Sequence, residues 1–341
     1  MLTGVAAVPL TGPATHAAAT RVVVGGYGQE VRRFSCPQCS ARLFFDDQTC
    51  LNCRAEVAYS PSSDDIGLAL LTCSHRYEWL CNWVADSEGW QCASCALDVV
   101  VDGPTDEVIT LQVAKRRLLR QLNRLDLNPA TANPPLRYEL RHGTDERPVI
   151  IGHADGLITL DTAEGDPAQV ERTRRRLGEP YRTPLGHVRH EAGHWHWQAY
   201  VLPDPIRLTQ FREVFGDERR DYPSSLQAHY NSVDDGSWSI NYLSHYATAH
   251  PWEDYAESFA HLLHMSDMVE TGVAEGFIQG DFRTMSDILN QWAPLTVSLN
   301  EMARSMGTTE PYPFSPSPAA LRKMMFVFDV INSSRHARDM G

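Results

Sequence analysis

Leu118, Leu119, Leu122 and Leu125 recur at helical spacing within residues 113–127, opposite Lys115, Arg116, Arg117, Arg120 and Arg124. An apolar stripe facing a charged one predicts an amphipathic connecting helix, with the basic side as its solvated face. The Pro- and Asn-rich residues 128–135 predict a linker. Short strands follow at Arg137–Arg141 and within 149–159, where Asp155-Gly156 can turn the chain between 149–152 and 157–160. From Pro167 onward the spacing is mainly helical, broken by Pro and Gly, with a last helix near 319–331. The pattern predicts an α+β class: a mainly helical domain with a small sheet, preceded by a small β-rich module.

The chain of 341 residues is 43% hydrophobic, enough for a catalytic domain of ordinary size plus an accessory module. Four regions follow from composition. They are a disordered tail (1–30), a cysteine module (31–100), a connecting helix and linker (101–135) and a helical domain (136–341). The tail lacks a basic residue before Arg21 and carries Pro9 and Pro13, which does not suit an export signal. A net charge of −13 disfavours nucleic acid and anionic membrane surfaces as partners. No apolar run reaches the roughly 18 residues of a membrane-spanning helix.

All eight cysteines lie between residues 36 and 95. Clustered CxxC pairs at one end read as metal ligands held reduced, which points to the cytoplasm. Cys36, Cys39, Cys50 and Cys53 form two CxxC knuckles that can close a tetrahedral zinc site, leaving no position for substrate. Cys73, Cys81, Cys92 and Cys95 form a looser second group, in which His75 could replace Cys73. Between residues 36 and 95 acidic side chains outnumber basic ones eight to three, so a protein partner suits this module better than nucleic acid.

His190-Glu191-Ala192-Gly193-His194 is an HExxH segment: two imidazoles one helical turn apart, with a carboxylate beside the first. Thr183 can cap this helix, Pro184 suits its first position, and it runs to about Tyr200. A catalytic zinc needs a third protein ligand. Pro251 would open a second helix on which Glu253 and Glu257 share a face. One carboxylate could ligate the metal while the other fixes an imidazole tautomer.

HExxH completed by a glutamate on a later helix resembles the gluzincin metallopeptidases. The spacing from Tyr246 to Glu253 resembles that of lethal-factor-type gluzincins. That resemblance implies Glu253 as third ligand, with Glu257 as its supporting carboxylate or the alternative ligand. It also implies Tyr246 as the phenol that stabilises the oxyanion, a role that His245 or His250 could also fill; a buried core tyrosine is the plain alternative. More widely, Cys36-Pro-Gln-Cys39, residues 152–159, 179–187 with 190–194, 215–219 and 250–261 look like a bacterial family of zinc-binding metallopeptidases with an N-terminal zinc ribbon. The resemblance covers about residues 34–275 and implies a zincin-like domain after a zinc-ribbon module.

It further implies hydrolysis of a peptide or protein substrate by water activated at one catalytic zinc, with Glu191 as general base and two more zinc ions structural. Residues 157–160 are a candidate edge strand for aligning that substrate. His153, Asp155, His187, His196 and His261 read as structural. The competing reading is a zinc-stabilised interaction module without turnover.

Overall fold

The computed structural model describes residues 33–339 apart from 178, 180, 281 and 283, so the expected tail at 1–30 lies outside the described residues. Two antiparallel hairpins begin the cysteine module: β1 (Phe34–Ser35) with β2 (Arg42–Leu43), and β3 (Val57–Ser60) with β4 (Asp65–Leu68). Each CxxC knuckle of the first tetrad turns through a left-handed residue, Ser40 (φ 58°) or Arg54 (φ 62°). The two turns repeat the same bonds: Ser40 N donates to Cys36 O at 2.8 Å and Arg54 N to Cys50 O at 2.9 Å. Beneath them Phe34, Phe45, Tyr59 and Trp83 form a small aromatic core.

The helical domain carries a four-stranded sheet. Its strands are β5 (Asp98–Val101), β6 (Arg137–Arg141), β7 (Gly152–Ala154) and β8 (Leu157–Asp161), in the order β5-β6-β8-β7. β5, β6 and β8 run parallel, and α1 (Thr105–Arg124) makes the crossover that a parallel β5–β6 pair requires. β7 returns antiparallel to β8 through Asp155 (φ 49°) and Gly156 (φ 80°), a two-residue turn that needs left-handed backbone at both positions. A Cβ on Gly156 would sit 2.3 Å from Pro135 O, so the close approach also demands glycine. The predicted turn is therefore present, but the strand before it starts at Gly152, and Ile150 is exposed. The candidate edge at 157–160 is corrected: β8 lies between β6 and β7, and the edge strands are β5 and β7.

α1 departs from the amphipathic connecting helix expected. It starts at Thr105, and Lys115, Arg116 and Arg124 on its basic side are buried to 3% exposure or less. Each buried cation meets an anion or a carbonyl. Lys115 Nζ binds both Asp98 oxygens (2.6 and 2.5 Å), and Arg116 donates to Leu80 O at 3.1 Å. Arg120 and Arg124 converge on Asp64 of the cysteine module, with contacts of 2.6 and 2.5 Å. Arg124 Nε is also 3.3 Å from Glu270. Sequence periodicity cannot tell a charged face in water from one buried against opposite charge.

Two long helices frame the site: α3 (Pro184–Tyr200) and α6 (Pro251–Ala274). Thr183 Oγ1 caps α3 by accepting from Gly186 N at 3.0 Å, and Pro184 opens it. His250 caps α6, and Pro251 opens it. The two cross where Gly193 faces Ala256: a Cβ on Gly193 would lie 2.7 Å from Ala256 Cα and 3.1 Å from Ala256 O. Only glycine permits this backbone contact without displacement. α4 (Pro205–Phe215) and α5 (Tyr222–Tyr230) follow α3. α7 (Met285–Ser305) and α8 (Pro318–Asp339), the latter containing the helix expected near 319–331, pack on α6.

Candidate metal centre

Helix α3 fixes the first two donors. His190 and His194 are one turn apart, and both Nε2 atoms face α6. Because α3 and α6 touch at Gly193, Glu253, one turn before Ala256, reaches both imidazoles. Its Oε2 lies 3.0 Å from His190 Nε2 and 3.4 Å from His194 Nε2. Donors around a tetrahedral zinc at ~2.1 Å would be roughly 3.4 Å apart, so this set fits the ion. Among the described residues these three form one of three groups able to hold a metal; the other two are the cysteine tetrads.

Hydrogen bonds aim two of the three donors, His190 and Glu253. Glu257 Oε1 accepts from His190 Nδ1 at 2.7 Å, leaving Nε2 for the centre. Ser244 Oγ donates to the other oxygen of Glu257 at 2.6 Å. Tyr222 OH donates to Glu253 Oε1 at 2.7 Å, which turns Oε2 towards the histidines. Tyr222 and Ser244 escaped the sequence reading. Tyr222 precedes Glu253 by 31 positions on a separate helix, and no spacing rule joins the two.

The electrostatics match a cation-binding wall. Burial disfavours charge on His190, but its bonds to Glu253 and Glu257 outweigh burial and raise its pKa well above the usual value. Burial likewise opposes ionisation of Glu253, yet His194 and His190 hold its carboxyl well below the usual range. Glu257 falls to about 2, against burial, through His190 and then His261. A metal ion would replace the proton that these groups share.

Glu191 extends from α3 on the same wall. His187 Nε2 lies 3.2 Å from its Oε1, while its Oε2 is buried without a partner. Tyr246 stands against His190, ring centres 5.8 Å apart, and burial, then Glu253, raises its pKa, so the phenol keeps its proton. His250 has both ring nitrogens engaged, by Trp252 N and Arg220 O, as the cap of α6. His245 sits apart against His229, rings 4.4 Å distant.

The remaining histidines have structural partners. His153 Nε2 accepts from Gly156 N at 3.0 Å inside the β7–β8 turn, and His196 Nδ1 pairs with Tyr255 OH at 2.8 Å. His261 bonds Tyr312 from the C-terminal region. Asp155 is the turn residue itself.

In the cysteine module the sulfurs of Cys36 and Cys53 lie 3.6 Å apart, as do those of Cys39 and Cys50. Cys81 is 3.5 Å from Cys92 and 3.7 Å from Cys95, and Cys73 completes this second, separate tetrad. Four thiolates at ~2.3 Å from a tetrahedral zinc would be roughly 3.8 Å apart, so both tetrads fit the ion and close around it. The alternative ligand His75 lies outside the tetrad, stacked on Trp79 at 3.6 Å and bonded to Glu78 at 3.0 Å. No described helix is long and apolar enough to cross a membrane.

Comparison with known proteins adds to this geometry. Residues 105–330 match the family described as "Putative zinc-binding metallo-peptidase", and residues 33–72 match a zinc-ribbon domain. The match runs past the limit near residue 275 that the sequence resemblance suggested, and takes in α7 and part of α8, which pack on α6. Uncharacterized proteins of Mycobacterium tuberculosis and Mycobacterium bovis are 35% identical over 331 residues, covering 89% of this chain and 96% of theirs. No solved structure matches. With two thirds of its length in that match, the chain belongs to the zinc-binding metallopeptidase family and carries a zinc-ribbon domain at its N-terminal end.

Proposed function

We propose that this protein hydrolyses peptide bonds at a zinc held by His190, His194 and Glu253, in the gluzincin manner. One observation carries the reading: Glu253 Oε2 meets both His190 Nε2 (3.0 Å) and His194 Nε2 (3.4 Å) beside the unpartnered Oε2 of Glu191. Zinc in such a site lowers the pKa of water from 15.7 towards about 7 and polarises the scissile carbonyl.

The chain's own residues do the rest. Glu191 Oε2 takes the proton of the attacking water and passes it to the leaving amine. Glu257 holds the His190 tautomer, and Tyr222 aims Glu253. The protonated Tyr246 phenol donates to the developing oxyanion. The free edge of β7, which packs beside α3, can pair with an extended substrate backbone. The cysteine tetrads hold structural zinc in a module ending near β5, and α1 belongs with the peptidase domain.

The test is zinc content together with turnover of a peptide library, for wild type and Glu191→Gln. The expected result is about three zinc ions in both proteins and hydrolysis by the wild type alone. Equal turnover would remove Glu191 from the base role. A zinc-loaded wild type that cleaves no peptide would overturn the peptidase reading in favour of an interaction module.

A further inference from the structure

The hydrogen-bond chain behind Glu191 does more than fill space. A helical turn at Thr162–Gly165 follows β8, and Asp161 caps it by accepting from Ala163 N at 3.0 Å. Gly165 lies so close to α1 that a Cβ would stand 2.2 Å from Glu107 O, which fixes this turn against the helix. Glu164 therefore projects from a rigid position. Its Oε1 accepts from Arg182 at 2.5 Å, and its Oε2 bonds His187 Nδ1. Arg182 is held in turn by Glu179 at 3.1 Å.

His187 lies one turn before Glu191 on α3, and its Nε2 is 3.2 Å from Glu191 Oε1. The imidazole is thus a rigid bridge between two carboxylates. Its donor to Glu191 occupies one oxygen and leaves the other, buried and unpartnered, as the site for a proton. A glutamate side chain has three rotatable bonds; one directional bond at Oε1 removes much of that freedom.

We propose that His187, clamped by Glu164 and Arg182, is a positioning residue that fixes the Glu191 carboxylate so that Oε2 faces the reacting water. This inference rests on the peptidase reading for its kinetic consequence, but the bridge is a property of the chain itself. Burial disfavours charge on His187, yet Glu164 and then Glu191 raise its pKa to about 9, so both ring nitrogens carry protons near neutrality. Glu164, opposed by burial, is lowered to about 2 by His187 and then Arg182. The charged groups facing the ring are Glu164, with Arg182 behind it, and Glu191, while the His190 ring stands 6.5 Å away.

The test compares wild type, His187→Gln, His187→Phe and Glu164→Gln by zinc content, thermal midpoint, kcat and KM. For His187→Phe, kcat should fall about 10- to 100-fold with KM and zinc content unchanged. His187→Gln keeps an N–H donor and should recover part of the loss. Glu164→Gln should show a smaller kcat defect of the same kind. An unchanged kcat in His187→Phe, or a loss matched by lost zinc or lost folding in all three variants, would overturn the proposal.

A second readout needs no turnover: the ring ¹⁵N shifts of His187, assigned by their absence in His187→Gln. Two protonated nitrogens at pH 7.5 in the wild type, reverting towards neutral imidazole in Glu164→Gln, are expected. A neutral ring in the wild type would overturn the bridge. If no peptide is cleaved, the peptidase reading falls by itself, and the nitrogen shifts still decide the bridge.

Discussion

The two kinds of metal site in this chain are built by opposite means. Each cysteine tetrad draws its donors from one short stretch, residues 36–53 or 73–95, folded back by tight turns. The histidine–glutamate centre draws on two helices, with 63 positions between His190 and Glu253. The tetrad module buries a small aromatic core around Phe34, Phe45, Tyr59 and Trp83, whereas α3 and α6 pack on each other and on the long helices α1, α7 and α8. On the proposed reading, metal would be a folding element in one region and a reagent in the other.

The comparison is broken most severely by removing one ligand from each region. Cys95→Ser should cost much of the about 10–16 kcal/mol that a structural zinc contributes, seen as loss of one zinc and of soluble folded protein. His190→Ala should also lose one zinc, yet keep its fold with a thermal midpoint lowered only by the binding linkage, about 3–4 kcal/mol at high occupancy. Similar melting losses in the two variants would erase the distinction.

Next in size is the joint between the regions. Asp64 sits under Arg120 and Arg124 of α1 and also accepts from Tyr59 OH at 2.9 Å. Asp64→Ala strands two guanidinium groups, of which Arg124 retains Glu270, and should destabilise by about 3–5 kcal/mol in a denaturant titration. A change below 1 kcal/mol would mean that the module is attached without supporting the peptidase domain.

Legibility in the sequence follows the same division. The first tetrad was readable from its two CxxC knuckles, whereas the looser second group left His75 open in place of Cys73 until the fold gathered the four sulfurs. The α3 start was readable from Thr183-Pro184, the α6 start from Pro251, and the β7–β8 turn from Asp155-Gly156, but the His250 cap was not. What could not be read was anything set by three-dimensional neighbours: the buried cations of α1, the position of β8 inside the sheet, and Tyr222 on Glu253. His187 was readable as a residue one turn from Glu191, but its bridging place depends on Glu164, which only the fold supplies.

Two smaller effects sharpen the picture of the open centre. Tyr222→Phe removes the donor to Glu253 Oε1 and should weaken zinc binding about tenfold or more in a competition titration, with the tetrad zinc unaffected. The Glu164–His187 pair sets a pH signature. His187, raised from 6.5 to about 9, contributes stability that is complete below 6.5 and lost as pH rises through 9. Glu164, lowered from 4.5 to about 2, contributes above 4.5 and loses it as pH falls through 2. The thermal midpoint should therefore drop on the order of a few degrees more between pH 6 and 9.5 in the wild type than in His187→Gln. Parallel curves would remove the pair from the stability balance.

The backbone contact between Gly193 and Ala256 has a consequence for how the protein acquires and surrenders its ion. Donor spacing is dictated by main chain meeting main chain, so the receptor exists before the ion arrives and persists after it leaves. Loading should then be a single bimolecular event without a refolding phase, and a chelator should silence the protein reversibly. Zinc at the histidine–glutamate centre should then exchange with a chelator faster than zinc in the closed cysteine tetrads.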